Sequence, residues 1–290
     1  MSEPTPEPPF LRVGPRTPQS PVILSVPHSG RAYTAELLGA ARVPLKTLEV
    51  LEDKLVDRLV WRALTDGASA LIALRPRAEI DLNRDEREID PTMVVPPPSS
   101  RSLLQSQRSR GGLGLVPSRI AGAGAIWNRR LAAGELARRI AHVHRPYHQA
   151  LASLLDEARA RFGTAILLDC HSMPPRTSGS NVDQAGVVLG DRYGTSAAPE
   201  FVDAASAAAR RFGFKVARNE PYAGGYITQR HGQPAEGIHA LQLEIDRSLY
   251  LDEALQAPGP GFDLIATLIA AIVSALSARA LDPPQALAAE

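Results

Sequence analysis

Apolar residues along the chain fall into two rhythms. Short, nearly unbroken apolar runs at Val22–Val26, Ala68–Leu74, Ala165–Asp169, Gly186–Leu189, Phe214–Ala217 and Leu241–Ile245 have the length and character of buried strands. Between them apolar positions recur every three or four residues. The stretch "LKTLEVLEDKLVDRLVWRAL" puts Leu48, Leu51, Leu55 and Leu59 on one helical face. "ELARRIAHVHRPYHQALASLLDEARARFG" predicts a long helix, broken or restarted at Pro146 and ended by Gly163. "SAAPEFVDAASAAARRFG" predicts another, with a serine cap, Pro199 in the first turn and a stop at Gly213. Strands separated by helices predict an α/β fold, a largely parallel sheet covered on both faces. Such sheets carry their sites on the loops beyond the carboxyl ends of the strands.

The pattern also divides the chain. Seven prolines between Pro4 and Pro21 predict an extended, mobile N-terminus over residues 1–20. A single domain over 21–282 follows, then a flexible tail over 283–290. Residues 91–117, "PTMVVPPPSSRSLLQSQRSRGGLGLVP", have no clear period. A piece that long inside a compact domain reads as an active-site loop, with an ordered excursion or a disordered insert as the alternatives. The apolar run Leu264–Ala278 is flanked by Asp263 and Arg279, and its Ala, Ser and Thr content reads as a buried helix rather than a membrane span.

Composition changes this picture only by exclusion. With 290 residues, 44% of them apolar, and 32 basic against 31 acidic side chains, the chain is an ordinary globular one of net charge +1. It lacks the cationic excess of a nucleic-acid or membrane-surface binder. The first twenty-one residues have neither the basic start nor the apolar run of a signal peptide, so a cytoplasmic protein is expected. The lone cysteine, Cys170, rules out an internal disulfide and a cysteine-based zinc cluster.

Three of the strands end in polar residues suited to a metal. His28 follows Val22–Val26 in "VILSVPHSG", Asp169 and His171 follow Ala165–Leu168 in "AILLDCHSM", and Glu244 lies among apolar neighbours in "ALQLEIDRS". A histidine at a strand end also caps turns, but two in the same setting beside a buried glutamate form a constellation. A catalytic zinc takes three protein ligands and leaves a position for water. Of the other histidines, His144 and His148 have helical spacing but no glutamate between them, and with Pro146 interposed they read as packing residues. Cys170 points to the opposite face from His171 in an extended chain and reads as a packing residue too.

At this point the motifs "VPHSG", "LEDKLVDRLV", "EIDLNRDEREIDP", "HRPYHQAL", "LLDCHSM" and "PYAGGYITQRHG", in that order, resemble the N-formylglutamate amidohydrolase family over about Pro21 to Tyr250. That family is similar to the zinc carboxypeptidases and aspartoacylases. The resemblance implies a mixed, mostly parallel sheet in a three-layer sandwich, and hydrolysis of a small acyl group, typically formyl, from an amino-acid nitrogen. It implies one divalent ion, Zn2+ foremost, on His28, His171 and a carboxylate from the helix after the first strand. Asp53 is the choice, with Glu49 and Glu52 as competitors, because the residue three after His28 is Arg31 where carboxypeptidases carry their glutamate.

In "DLNRD", Asn83 and Arg84 are expected to grip the substrate carboxylate, since a guanidinium offers two parallel donors to it. Arg84 could instead pair with Asp81, Asp85 or Glu88. Arg77, Arg176 and Arg230 are further cationic candidates, with Arg176 and Arg230 taken as substrate residues. Glu244 is the expected general base, because burial raises a carboxylate's pKa into the useful range. The expected partner is an acidic N-acyl amino acid, with N-formyl-L-glutamate first. Alternatives are another acyl-amino acid or small peptide on the same site, and a non-catalytic module that binds carboxylates. The oligomeric state is left open.

Overall fold

The computed structural model describes residues 8–176 and 184–282. The expected flexible tail over 283–290 and the first seven residues lie outside the described residues.

The sheet grows from the runs that the apolar pattern marks. Its strands are β1 (Phe10–Val13), β2 (Val22–Val26), β3 (Ser69–Ala73), β4 (Ala165–Met173), β5 (Val187–Gly190), β6 (Val216–Arg218) and β7 (Ile238–Asp246), in the spatial order β1-β3-β2-β4-β7-β5-β6. The β2–β3, β2–β4, β4–β7 and β5–β6 pairs are parallel, and β1–β3 and β5–β7 are antiparallel. The sheet is therefore mixed and mostly parallel. The edge strand β1 falls in the stretch read as mobile; its two half-buried ends enclose two exposed residues, so it has no strand-like pattern to stand out among the prolines, and pairing with β3 orders it.

Alternation along the central strands feeds two cores. Val22, Leu24, Val26, Ile166, Leu168, Leu241, Leu243 and Ile245 face one layer of helices, and Ile23, Leu71, Leu167 and Ala240 face the other. The long helices are α1 (Arg145–Phe162), α2 (Pro199–Arg211) and α4 (Phe262–Leu281), with the short α3 (Tyr226–His231) close to the site. Helix α1 covers the second core, while α2 and α4 pack on the first. By length and composition α4 could cross a membrane. It instead buries Ile265, Leu268, Ile269, Ile272 and Leu276 in the core.

Local details differ from the periodic reading. "LKTLEVLEDKLVDRLVWRAL" is not one helix: a turn at Glu52–Lys54 separates Leu45–Leu51 from Val56–Leu59, and Leu55 takes a left-handed φ of 61°. All four leucines are still buried, because each short piece presents its own face to the interior. Before α1, Ala133–Arg139 continues through a π-helical turn at Ile140–His144, and Pro146 sits in the first turn of α1. Helix α2 has no serine cap; the Ser196 hydroxyl donates instead to Ala240 O at 2.8 Å. Residues 91–117 form an ordered excursion of short turns, with a bridge from Val94–Val95 to Leu131–Ala132 and a helical turn at Gln107–Arg110.

Candidate metal centre and substrate cavity

The parallel strands β2, β4 and β7 lie side by side, so their carboxyl ends share one edge of the sheet. His28 lies two residues past β2. His171 and Glu244 are directly paired in the β4–β7 register. β4 runs four residues past its apolar run Ala165–Asp169 and β7 one residue past Leu241–Ile245, so His171, like Glu244, stands inside the sheet rather than on a loop. Period two then sends Asp169 and His171 of β4 and Gln242 and Glu244 of β7 to one face, while Cys170 packs in the opposite core.

The third acidic group comes from the turn that interrupts the helical pattern. The Asp53 N–H donates to His28 O at 2.9 Å, and the Ser29 hydroxyl donates to Asp53 O at 3.1 Å. This staple delivers the Asp53 carboxylate between the two rings: Oδ2 is 3.2 Å from His28 Nδ1 and 2.9 Å from His171 Nδ1. The ligand-capable atoms of His28, Asp53 and His171 all lie within 4.8 Å of one another, and all three side chains are buried. The competing carboxylates are engaged elsewhere. Glu49 pairs with Lys54 at 3.2 Å, and Glu52 accepts from the Tyr33 hydroxyl at 2.7 Å.

The outer nitrogens complete the arrangement. His28 Nε2 donates to Asp81 Oδ1 at 2.7 Å, and His171 Nε2 donates to Asp169 Oδ2 at 2.8 Å. A carboxylate behind each imidazole fixes its tautomer and leaves the other nitrogen for a metal, as in carboxylate–histidine–zinc triads. The donor set fits a single divalent cation. Burial works against the charge on Asp53, but hydrogen bonds from His171 and His28 outweigh it and hold the carboxyl well below its usual range. Burial likewise opposes the charge on His171, and Asp169 and Asp53 outweigh it, raising its pKa well above the usual value.

A cavity of about 310 Å³ opens over this cluster, lined among others by Arg77, Asn83, Arg84, Arg108, Glu244 and Arg247. Burial, resisted by His171 and reinforced by Asp53, pushes the Glu244 carboxyl up to about 7. Gln242 Nε2 donates to Glu244 Oε1 at 2.9 Å. Arg84 is buried, and its nearest carboxylate is Asp81 at 3.7 Å; Asp85 is taken by Arg87. Its Nε and Nη1 donate to Leu113 O and Asn83 O at 2.9 and 2.7 Å, and Nη2 has no hydrogen-bond partner among the described residues. One edge of the guanidinium is thus anchored and the other remains available. Asn83 is held by Ile227 N–H, which donates to Oδ1 at 2.8 Å, and its Nδ2 lies 3.2 Å from His171 Nε2.

Neither Arg176 nor Arg230 lines this cavity. The Arg176 guanidinium donates to Ala185 O, and Arg230 is exposed on α3, donating to the Tyr226 hydroxyl. The cavity's further cations are Arg77, whose Nε donates to Asp81, and Arg247, which donates to Ser172, Glu52 O and Asp53, together with Arg108 from the 91–117 excursion. Sequence reasoning missed Arg108 because no period marks its segment.

Among the described residues the "HRPYH" histidines belong to no metal-type cluster; they support the Asn83–Arg84 loop. His144 Nε2 meets Arg84 O at 2.8 Å and His148 Nε2 meets Leu82 O at 3.0 Å. Burial lowers the pKa of both, so each ring is neutral with a single N–H. A carbonyl only accepts, so that proton sits on Nε2, and His148 Nδ1 accepts from His231 Nε2 at 3.0 Å. The Tyr147 hydroxyl lies 2.9 Å from Ser25 Oγ, which donates to Asp169 Oδ1 at 2.7 Å. One turn of α1 therefore steadies both the Asn83–Arg84 loop and the carboxylate behind His171.

Residues 20–251 match the family described as N-formylglutamate amidohydrolase. The N-formylglutamate deformylase of Pseudomonas aeruginosa is 33% identical over 251 residues, 82% of this chain and 84% of that protein. The one from Pseudomonas putida is 30% identical over 240 residues, 80% of this chain and 82% of its own length. The crystal structure of N-formylglutamate amidohydrolase from Ralstonia eutropha superposes with a TM-score of 0.83 at 34% identity, covering 94% of this chain and 97% of that one.

Proposed function

The chain belongs to the N-formylglutamate amidohydrolase family, and on that premise we propose that it hydrolyses the amide of N-formyl-L-glutamate to formate and L-glutamate. The observation that carries the reading is convergence in one cavity of a His28–Asp53–His171 cluster, a buried Glu244 and the half-anchored Arg84.

His28, Asp53 and His171 would hold one divalent cation of the Zn2+ class, which when bound acidifies water and polarises a carbonyl oxygen. Glu244 takes a proton on its carboxylate as water attacks the formyl carbon, then delivers it to the departing amide nitrogen. Both transfers need a group that is neither a strong acid nor a strong base at neutral pH, and a carboxyl pushed up to about 7 meets that need. The free edge of Arg84 binds the amino-acid carboxylate and so fixes the acyl end of the substrate over the cluster. Asn83, wedged between Ile227 and His171, keeps the two halves of the site in register.

The test pairs metal analysis with hydrolysis on the same sample. Purified protein is expected to carry close to one equivalent of divalent metal and to release formate from N-formyl-L-glutamate. His28→Ala and His171→Ala are expected to lose both. Unchanged metal content and turnover in these variants would sink the assignment.

A further inference from the structure

We propose that the cleft adjoining the catalytic cavity is the subsite for the acidic side chain of the substrate, with Arg108 and Arg192 as its cationic walls. The inference rests on the reading above, in which Arg84 takes the amino-acid carboxylate; it concerns what binds the second one. The cleft measures about 410 Å³, and Asn83, Arg84 and Arg108 line both it and the catalytic cavity. A ligand held at Arg84 therefore continues into it without leaving the protein surface.

Three arginines meet there from three separate parts of the fold: Arg84 from the loop after β3, Arg108 from the helical turn at Gln107–Arg110, and Arg192 from the turn after β5. Among the described residues, neither Arg108 nor Arg192 has a side-chain hydrogen bond or ion pair. Among the described residues, the only carboxylate lining the cleft, Glu88, is already engaged: it accepts from the Ser106 hydroxyl at 2.6 Å and from Asp85 N–H at 3.3 Å. Asp81 lies 3.7 Å from Arg84, but Arg108 and Arg192 have no carboxylate paired with them, and like charges so placed repel one another unless an anion sits between them. That repulsion adds to burial in lowering the pKa of both Arg84 and Arg192.

The placement of Arg192 is built into the chain. Its backbone is left-handed, with a φ of 52°, and its N–H donates to Ala223 O at 2.7 Å. The stem runs over Gly224, where a Cβ would come within 2.8 Å of Arg192 Cγ and where φ is +127°. The glycine of "YAGGY" thus leaves the groove that the arginine occupies. A carboxylate is the anion that suits the site, since each guanidinium presents parallel donors to a planar acceptor. The reading favours dicarboxylic acyl-amino acids over neutral ones.

The test uses Arg108→Met and Arg192→Met in the metal-loaded enzyme. The ratio of kcat/KM for N-formyl-L-glutamate to that for its neutral isostere N-formyl-L-glutamine is measured, and binding of L-glutamate and L-glutamine is followed by calorimetry. Wild type is expected to prefer the acid in both assays. Each substitution is expected to reduce that preference about tenfold or more, the usual worth of a charge-assisted pair. A wild type without preference, an unchanged ratio, or equal losses on both ligands would overturn the subsite. If glutamate binding depends on Arg192 but no formyl compound is hydrolysed, the subsite stands and the proposed reaction fails. If hydrolysis proceeds with selectivity independent of both arginines, the reaction stands and the subsite fails.

Discussion

Glu244 shows how one residue's surroundings set its chemistry. It sits directly opposite His171 in the β4–β7 register, buried, with a neutral amide from Gln242 as its hydrogen-bond donor. In the proposed role of base it works only when ionised, so activity is expected to fall as pH drops through its pKa. That pKa is raised from the usual 4.5 to about 7, and a cation bound beside it favours the carboxylate and moves it back down. The acid limb of kcat/KM is therefore expected between these two values, measurable from pH 4.5 to 9. Glu244→Gln is expected to remove that limb and lower kcat by about 10²–10⁴-fold, the range of general acid–base contributions, while metal content stays at the wild-type level. Asp169 acts one step further from the reaction. Removing its charge frees the His171 ring to turn and lowers its basicity. Asp169→Asn is expected to weaken metal binding by about 10–100-fold in a competition titration with a chelator.

At the scale of elements, what the sequence shows depends on range. The three strands that carry the site were legible because an apolar run of about five β-formers has few other uses, and His28, His171 and Glu244 inherited their visibility from those runs. Asp53 was named, but placed on a helix; the left-handed Leu55 that ends its turn carries no glycine or asparagine to announce it. Arg176 and Arg230 stood in suggestive motifs, yet which arginines face the cavity is decided by loop paths that no local period records. The glycines of "YAGGYITQRHG" suit a loop passing close to substrate, or a plain turn, and neither reading names a contact within the chain. The structure supplies one: a Cβ at Gly225 would overlap the Asn83 amide, whose oxygen caps Ile227 N–H at the start of α3. Gly225→Ala must therefore push Asn83 away from His171 and carry Arg84 with it. The variant is expected to bind metal normally but to lose at least tenfold in kcat/KM for N-formyl-L-glutamate, mostly through KM, since a small displacement of a positioning group is enough to do so.

Across the whole molecule, the site works as a clasp between parts of the chain that are distant in sequence. His28 lies two residues past β2, Asp53 belongs to a turn 25 residues later, and His171 lies 118 residues beyond that. Arg247, from the end of β7, closes the same knot by donating to Glu52 O and to Asp53 Oδ1. Without a cation, Asp53 must satisfy two imidazoles and a guanidinium at once, and the buried carboxylates Asp53, Asp81, Asp169 and Glu244 stand close together in the interior. Supplying positive charge there stabilises the folded state alone, because the unfolded chain holds these groups far apart. The gain follows mass action, about 4 kcal/mol for a free metal concentration a thousand times the dissociation constant. With a few degrees of Tm for each kcal/mol in a chain of this size, chelation is expected to lower the melting temperature by roughly 5–15 °C. Re-addition of Zn2+ is expected to restore it. In His171→Ala the chelator should shift Tm little, because the clasp has already lost a ligand. A wild-type Tm indifferent to chelator, in protein shown by elemental analysis to have lost its metal, would mean that the cluster is held by its own hydrogen bonds rather than by the ion.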